Sequence, residues 1–487
     1  MKQVNKTKPD KNKKTKTRIR SRDSQRTNIK HNEMENADPN MMQTQFTQQV
    51  MPQGAKVYVS SYSNYDLLAH QPHGTESQGL YGFRFHPKDI SLTPMPLTQP
   101  AFVNRQDMQD DAQEQQSEHN HVIKNVTPNP AFMKVYDNKL YLVTERIDQE
   151  GSIYQFEMHP SGCLDLQSTL LAKGRSTCYI YKDRMGKYAL VVNYWDATVS
   201  VVELGPQGEL MQVTDVHRRP GYTYVEETKP KRIDHQQRRQ GWSHAHCVIP
   251  APEDKNALQF ALYYVPDLGE ECIHQLVLDR NNGTIHHAGS LFLKKGHGPR
   301  HMVFHPSNQY AYIVNELDST VDLLHFDPQV AEEILDSTVQ SNGATIPTNL
   351  ISLQVKQTIS TIPDGHVGKT HCAEIKVGPD GKFLYVANRF SDTIAVFRIN
   401  SDRDGHLSLI EIVSSQGKTP RHFSFDPSGK FMIVANTDSD SLCVFHVMQD
   451  TGRLVFTGNM VNTPSPNYVL VVPEYEPAPG PVTRLGA

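Results

Sequence analysis

"GPRHMVFHPSNQYAYIVNELDSTVDLLHF", residues 298–326, lines up without a gap on "TPRHFSFDPSGKFMIVANTDSDSLCVFHV", residues 419–447. Both read as strand, Pro-containing turn, strand, Asp/Ser-rich turn, strand. "HCAEIKVGPDGKFLYVANRFSDTIAVFRI" (371–399) is a third copy, and "DRDGHLSLIEIV" adds a fourth short strand behind an acidic-glycine turn. Fainter copies lie at 131–158, 176–204 and 244–278. A landmark after the second strand falls at Glu145, Asn193, Asp267, Asn315, Asn388 and Asn436, at intervals of 48, 74, 48, 73 and 48. The two longer spacings are the basic unit plus an insertion.

Four short strands at this period are the signature of propeller blades. Six units are complete, and a seventh is split between the ends of the chain. "AKVYVSSYSN" (55–64) and "GLYGFRFHP" (79–87) lack a first strand, whereas "SPNYVLVV" (465–472) is a first strand with no blade after it. Pairing them closes the ring and removes free sheet edges. The expectation is therefore an all-β fold, a seven-bladed β-propeller of four-stranded blades over residues 54–474. A basic, Gln-rich arm (1–53) precedes it and a tail (475–487) follows. Polar insertions are placed at about 97–126, 215–240 and 328–349.

The net charge of −4 hides an asymmetry. Residues 1–30 hold twelve Lys/Arg against Asp10 and Asp23, roughly +10, which leaves about −14 for the remainder. The arm lacks apolar anchors and periodicity and reads as a solvated tail. Its "KPDKNKKTKTR" is similar to a nuclear-localisation segment, so a nuclear fraction is expected beside a cytoplasmic one. Nucleic acid is not expected as a partner. No apolar run reaches the ~18 residues of a membrane span, so no membrane partner is expected. The six cysteines are scattered without a CxxC pair, which argues against a disulfide framework and against a structural zinc site. No cofactor is expected, and the oligomeric state is not legible.

A repeat separates architecture from function within one chain. Positions filled alike, such as the turn histidines His86, His159 and His305 and the asparagines Asn315, Asn388 and Asn436, are expected to build blades. Charged residues that differ between copies near the ring axis are the candidates for function. In an antiparallel hairpin the start of the first strand lies beside the end of the second. That rule places Arg300 across from Asn315 and Glu316, Arg421 from Asn436, His371 and Cys372 from Asn388 and Arg389, and His246 from Pro266 and Asp267. One mouth of the channel thus gathers His244, His246, Asp267, Arg300, Glu316, Arg389 and Arg421, with Glu145 and Tyr194 beside them. Arginines around a Glu and a His suit an anionic ligand and acid/base chemistry. Inter-blade salt bridges around a wet channel would use the same residue types. The His244-Ala245-His246 pair would send both rings to one face of a strand, and a cupin-type metal site is disfavoured because the repeat assigns the stretch to a propeller strand.

At these residues the chain resembles the propeller lactonases, which comprise the bacterial-type 6-phosphogluconolactonases and the fungal carboxymuconate lactonising enzymes. The resemblance covers about 54–474. It is carried by "SHAHCVIPAPEDK…YYVPDLG", "GPRHMVFHPSNQYAYIVNELDSTV" and "KFLYVANRFSDTIAVF". It implies a catalytic set of His246, Arg300, Glu316 sixteen residues later, and Arg389. Ser243, Tyr179 and Thr144 depart from the family's Pro, His and Asn at matching places. The resemblance implies a small anionic lactone as substrate, most simply 6-phospho-D-glucono-1,5-lactone hydrolysed to 6-phosphogluconate without a metal. Arg389 and Arg300, helped by Arg421, would hold the anionic group and the developing oxyanion. Glu316 would activate water and His246 would carry the proton, or the two roles would be exchanged. His244, Arg421, Asp267, Glu145 and Tyr194 would contact substrate. The alternatives are a muconate-type lactonising cycloisomerase and a non-catalytic binding scaffold.

Overall fold

The computed structural model describes residues 54–97, 122–123, 128–218, 240, 242–252 and 258–474. The arm, the tail and the segments 98–121 and 219–239 lie outside the described residues. Among the described residues the strands form seven antiparallel sheets, each built on a path of four strands, in sequence order in all but blade 1. Blade 1 is closed by both ends of the chain: Pro466–Glu474 is its innermost strand and pairs with Gly54–Ser61, which pairs with Leu80–His86. Its outer strand is interrupted. Ser91–Pro94 covers one half of Leu80–His86 and Val122–Ile123 the other, so the first insertion falls inside that edge.

Blades 2 to 7 begin with the innermost strands Pro130–Tyr136, Thr177–Lys182, Ile249–Pro250, Pro299–Phe304, His371–Val377 and Pro420–Phe425. Each blade lies between two neighbours, so its middle strands are apolar on both faces; all six residues of Tyr310–Asn315 are buried. Tyr312, Val321 and Leu323 of blade 5 pack against Leu384, Val386 and Phe397 of blade 6. Burying such side chains contributes about 1.5–3 kcal/mol each. A tyrosine on the second strand also reaches the next blade. The hydroxyls of Tyr58, Tyr141, Tyr312 and Tyr385 donate to the carbonyls of Gly162, Gly208, Gly405 and Gly452, at 2.6–2.9 Å. Those four glycines all have positive φ, which the tight turn between the third and fourth strands requires.

Two insertions differ from expectation. Leu210–Arg218 is an outer strand, so the second insertion begins after it and not at 215. The third is not a polar loop. It contains a helix, Pro328–Gln340, started by Asp327, whose carboxylate accepts from the backbone N–H groups of Gln329 and Val330. Ala331 and Ile334 on one face of this helix join the core, which an insertion read by composition alone conceals.

The innermost strands share an irregularity. A residue at the end of each second strand faces one on the first: Ser61 faces Pro466, Thr144 Pro130, Asn193 Thr177, Asp267 Ala245, Asn315 Pro299, Asn388 Cys372 and Asn436 Pro420. Just beyond this pair the first strand carries one extra residue in every blade, a β-bulge that re-aims the side chains next to it. The register corrects the repeat landmark in blade 2, which belongs to Thr144 and not Glu145.

The paired residue at the end of the second strand is an anchor. Asn388 Nδ2 donates to the Thr361 carbonyl at 2.9 Å and its Oδ1 accepts from Thr361 Oγ1 at 2.8 Å. Asn193 and Asn436 reach the Ala172 and Ser415 carbonyls in the same way. Asn388→Ala removes the amide donor from the buried Thr361 carbonyl and is expected to lower unfolding free energy by about 1–3 kcal/mol, read as a lower urea midpoint at unchanged slope.

Candidate active site at the channel mouth

The residue after each anchor stands at one mouth of the channel: Tyr62, Glu145, Tyr194, Leu268, Glu316, Arg389 and Thr437. All but Tyr62 and Leu268 line a pocket there, together with His244, His246 and Arg421. Seven of the nine residues expected from sequence are thus brought to one cavity.

The other two are placed differently. Arg300 is not at the pocket surface. It is buried behind Glu316, with Nη1 donating to the Ala373 carbonyl at 2.6 Å and Nε 3.2 Å from Glu316 Oε2. Asp267 stands at the anchor position that blades 3, 5, 6 and 7 fill with Asn, and its carboxylate faces backbone, Ser243 and, at 3.7 Å, His274 Nε2. Oδ1 accepts from the N–H groups of His244, Gly269 and Glu270 at 2.8–3.0 Å, and Oδ2 accepts from Ser243 Oγ. The expected contact of Asp267 with substrate is corrected: its lone pairs hold the turn and the strand that carries the histidines.

Glu316 is wholly buried between two guanidiniums. Arg389 Nη2 lies 2.9 Å from Oε1, on the side opposite Arg300. A paired carboxylate of this kind holds both arginines in one orientation. Arg421 Nη2 lies 3.7 Å from Glu145 Oε1, and its guanidinium sits 5.3 Å from the Tyr62 ring. Tyr62 Oη donates to Glu145 Oε2 at 3.0 Å.

The His-Ala-His pair does share a face. His244 stacks on the Tyr194 ring at 4.5 Å, and its Nδ1 lies 3.1 Å from the Tyr194 carbonyl. His246 stands edge-on to Tyr194 at 5.3 Å and to His301 at 5.1 Å. Burial first, then the Arg300 guanidinium and the neighbouring His301 ring, pushes the His246 imidazole well below its ordinary 6.5, against the opposing pull of Glu316. His246 is therefore neutral at physiological pH and carries a basic nitrogen.

One layer deeper the channel is filled by Phe132, Tyr179, His301, Glu374, His422 and Tyr468. The His422 and Tyr468 rings stack at 3.8 Å, and Phe132 meets Tyr179 at 4.2 Å and Tyr468 at 4.6 Å. Glu374 Oε2 lies 3.1 Å from His301 Nδ1 and 3.5 Å from His422 Nε2. Burial raises the Glu374 carboxyl, but His422, Lys376 and His301 outweigh it and hold the group ionised. Tyr179 thus belongs to the floor rather than to the rim.

Sequence reasoning missed several lining residues. Residues 69–73, in the long connection between the two N-terminal strands, form one wall, where His73 N donates to Asp438 Oδ1 at 2.8 Å. Lys369 sits 3.9 Å over the Phe390 ring, and both line the pocket with His371 and Trp195. Tyr62 was legible: it follows Ser61 as Glu316 follows Asn315.

Comparison with known proteins agrees with this architecture. Residues 99–471 match the family model described as lactonase, 7-bladed β-propeller. A 6-phosphogluconolactonase of Bacillus subtilis is 29% identical over 342 residues, 69% of this chain and 86% of that one. A second protein of that name, from Formosa agariphila, is 30% identical over 307 residues, 61% of this chain and 75% of its own. Among solved structures, a periplasmic gluconolactonase of Pseudomonas aeruginosa superposes with a TM-score of 0.64 at 24% identity. It covers 86% of this chain and 99% of its own, and at that identity the likeness speaks for the fold. With the family model spanning blades 2 to 7 and the ring closed as its seven blades demand, the chain belongs to the lactonase family of seven-bladed β-propellers.

Proposed function

We propose that this mouth hydrolyses a sugar-acid lactone, 6-phospho-D-glucono-1,5-lactone in the first instance, to the open-chain acid. The observation that carries the reading is a neutral imidazole, His246, in the same pocket as a guanidinium, Arg389, whose position is held by a buried carboxylate. The relatives named 6-phosphogluconolactonase support the choice of substrate.

In this mechanism His246 takes a proton from a water that attacks the lactone carbonyl carbon. The carbonyl oxygen becomes an oxyanion, stabilised by Arg389, whose forked donors suit that charge. The protonated His246 then gives its proton to the ring oxygen as the acyl C–O bond breaks, leaving a hydroxyl and a carboxylic acid, which ionises and releases one proton to solvent. The lactone carbonyl is already electrophilic, so no step needs a metal. Of the two candidate bases, His246 is preferred over Glu316, because Glu316 is engaged by Arg300 and Arg389. Glu316 and Arg300 are then positioning residues for Arg389. Arg421 and Lys369 supply positive charge for the phosphate, and His244, stacked on Tyr194, forms the wall beside His246.

His246→Ala is expected to lower kcat on 6-phosphogluconolactone by about 10²–10⁴-fold, followed by proton release in weak buffer. Unchanged kcat in a folded variant, or turnover of a muconate-type diacid in place of the lactone, would sink the reading.

Arg421→Ala is expected to cost about tenfold or more in kcat/KM on the phosphorylated lactone, as loss of a charge-assisted contact does. It should leave kcat/KM on unphosphorylated gluconolactone nearly unchanged, and equal losses on both substrates would contradict the assignment.

A base must be unprotonated to act. With the His246 pKa depressed, activity is present above that value and lost as pH falls through it. The acid limb of kcat/KM should therefore lie well below 6.5, and a limb at or above 6.5 would count against His246.

A further inference from the structure

We propose that Phe390 decides ligand specificity at the mouth: its ring holds the Lys369 ammonium where the phosphate of a phosphorylated sugar acid or its lactone binds, a role that rests on the mouth being a lactone site. The backbone is what points to it. In blades 3 to 7 the turn after the second strand has one residue in the left-handed region, four positions past the anchor: Ala197, Glu271, Ser319, Asp392 and Asp440, with φ of 50–56°. Among the described residues, blade 6 alone adds a second one in that turn, Phe390, at φ 69°. A side chain crowds the neighbouring carbonyl in this conformation, so glycine is favoured there and a bulky aromatic is not.

Core packing does not account for the conformation. Phe390 is 37% exposed and belongs to neither of the apolar clusters that bury the strands of blade 6. Its ring lines the pocket instead, with Lys369 Nζ 3.9 Å from the ring centroid and the His371 ring edge-on at 5.3 Å. Strain kept at a binding surface, where packing gives no reason for it, is the mark of a positioned contact.

Register brings ring and ammonium together. Arg389 faces His371 across the ladder, so Phe390 leaves the second strand beside the stretch that carries Lys369 into the first. Thr370 Oγ1 accepts from Ser319 Oγ at 3.1 Å and lies 3.3 Å from Ser391 Oγ, which ties that stretch to the Phe390 turn and to blade 5. A lysine ammonium is a point charge on a flexible four-carbon stem. Held against the electron-rich ring face, it loses that freedom before a ligand arrives, and the ligand binds more tightly for it. Arg389, fixed by Glu316, then meets the reacting carbonyl while Phe390 and Lys369 meet the charged end.

The test measures binding as well as turnover. In calorimetric titrations the full-length protein is expected to bind 6-phosphogluconate more tightly than gluconate. Phe390→Gly should lower 6-phosphogluconate affinity by about 3–30-fold, the span of one cation–π contact, and gluconate affinity by less. In turnover the loss should fall on KM for the phosphorylated lactone rather than on kcat. Glycine suits the backbone at this φ, so the variant should melt no lower than the native protein, and Phe390→Tyr, which keeps a ring, should keep the preference. After Lys369→Met, Phe390→Gly should have little further effect on 6-phosphogluconate binding. Equal native affinity for the two acids, an unchanged preference in Phe390→Gly, a loss that comes with a fallen melting temperature, or additive losses in the double variant would each overturn the proposal. Phe390-dependent binding without lactone turnover would end the hydrolytic reading and leave this one standing; turnover with a preference indifferent to Phe390 would do the reverse.

Discussion

One extra residue in the innermost strand of every blade is the constraint on which the site depends. A regular ladder would alternate side chains between the two flanking blades, and no long side chain would be aimed along the axis. The bulge breaks that alternation just where the strand enters the channel. Arg421 lies within such an irregular step, Arg300 and His246 occupy the matching places, and Asn467, Ala131, Cys178 and Ala373 complete the ring. The alanines matter as much as the charged residues. Ala373 leaves room for the Arg300 guanidinium, which takes its carbonyl as a hydrogen-bond acceptor.

The anchor residues tie this irregular step to the preceding blade. Asn193, Asn388 and Asn436 use their side-chain amides to satisfy carbonyls where the outer strand of one blade passes to the next. Each is followed by a pocket residue, Tyr194, Arg389 or Thr437. A functional side chain therefore inherits its position from a neutral, fully buried amide one residue before it. Asp267 performs the same task with a charge, which lets it collect three backbone N–H groups and a hydroxyl rather than one carbonyl.

Charge burial at the mouth is costly unless it is compensated, and here the compensation is shared. Glu316 is flanked by Arg300 and Arg389, Arg421 by Glu145 and the Tyr62 face, and Glu374 by two imidazoles and Lys376. Removing one member leaves its partner as an unpaired buried charge, the expensive case. Burial first, and then the excess of guanidinium over carboxylate around it, keeps the His246 imidazole neutral.

The blade count, the closure of blade 1 by both chain ends, and seven residues that meet at the mouth, out of nine expected there, were legible in the sequence alone. They were legible because a repeat displays its own register: turns, strand lengths and anchor positions recur, and antiparallel pairing converts them into neighbours. Only the tertiary structure decided depth. Arg300 and Arg389 look equivalent in a string, yet one is walled in by Glu316 and the Ala373 carbonyl while the other reaches the pocket, since a bulge's side-chain direction depends on the neighbouring blade. Asp267 and Glu145 looked alike as acidic landmarks, and a one-residue register difference separates an anchor from a lining residue. The wall at 69–73 and the helix Pro328–Gln340 come from stretches the repeat does not govern. What places them is contact with other blades or with the next strand, and that information is absent from spacing along one chain.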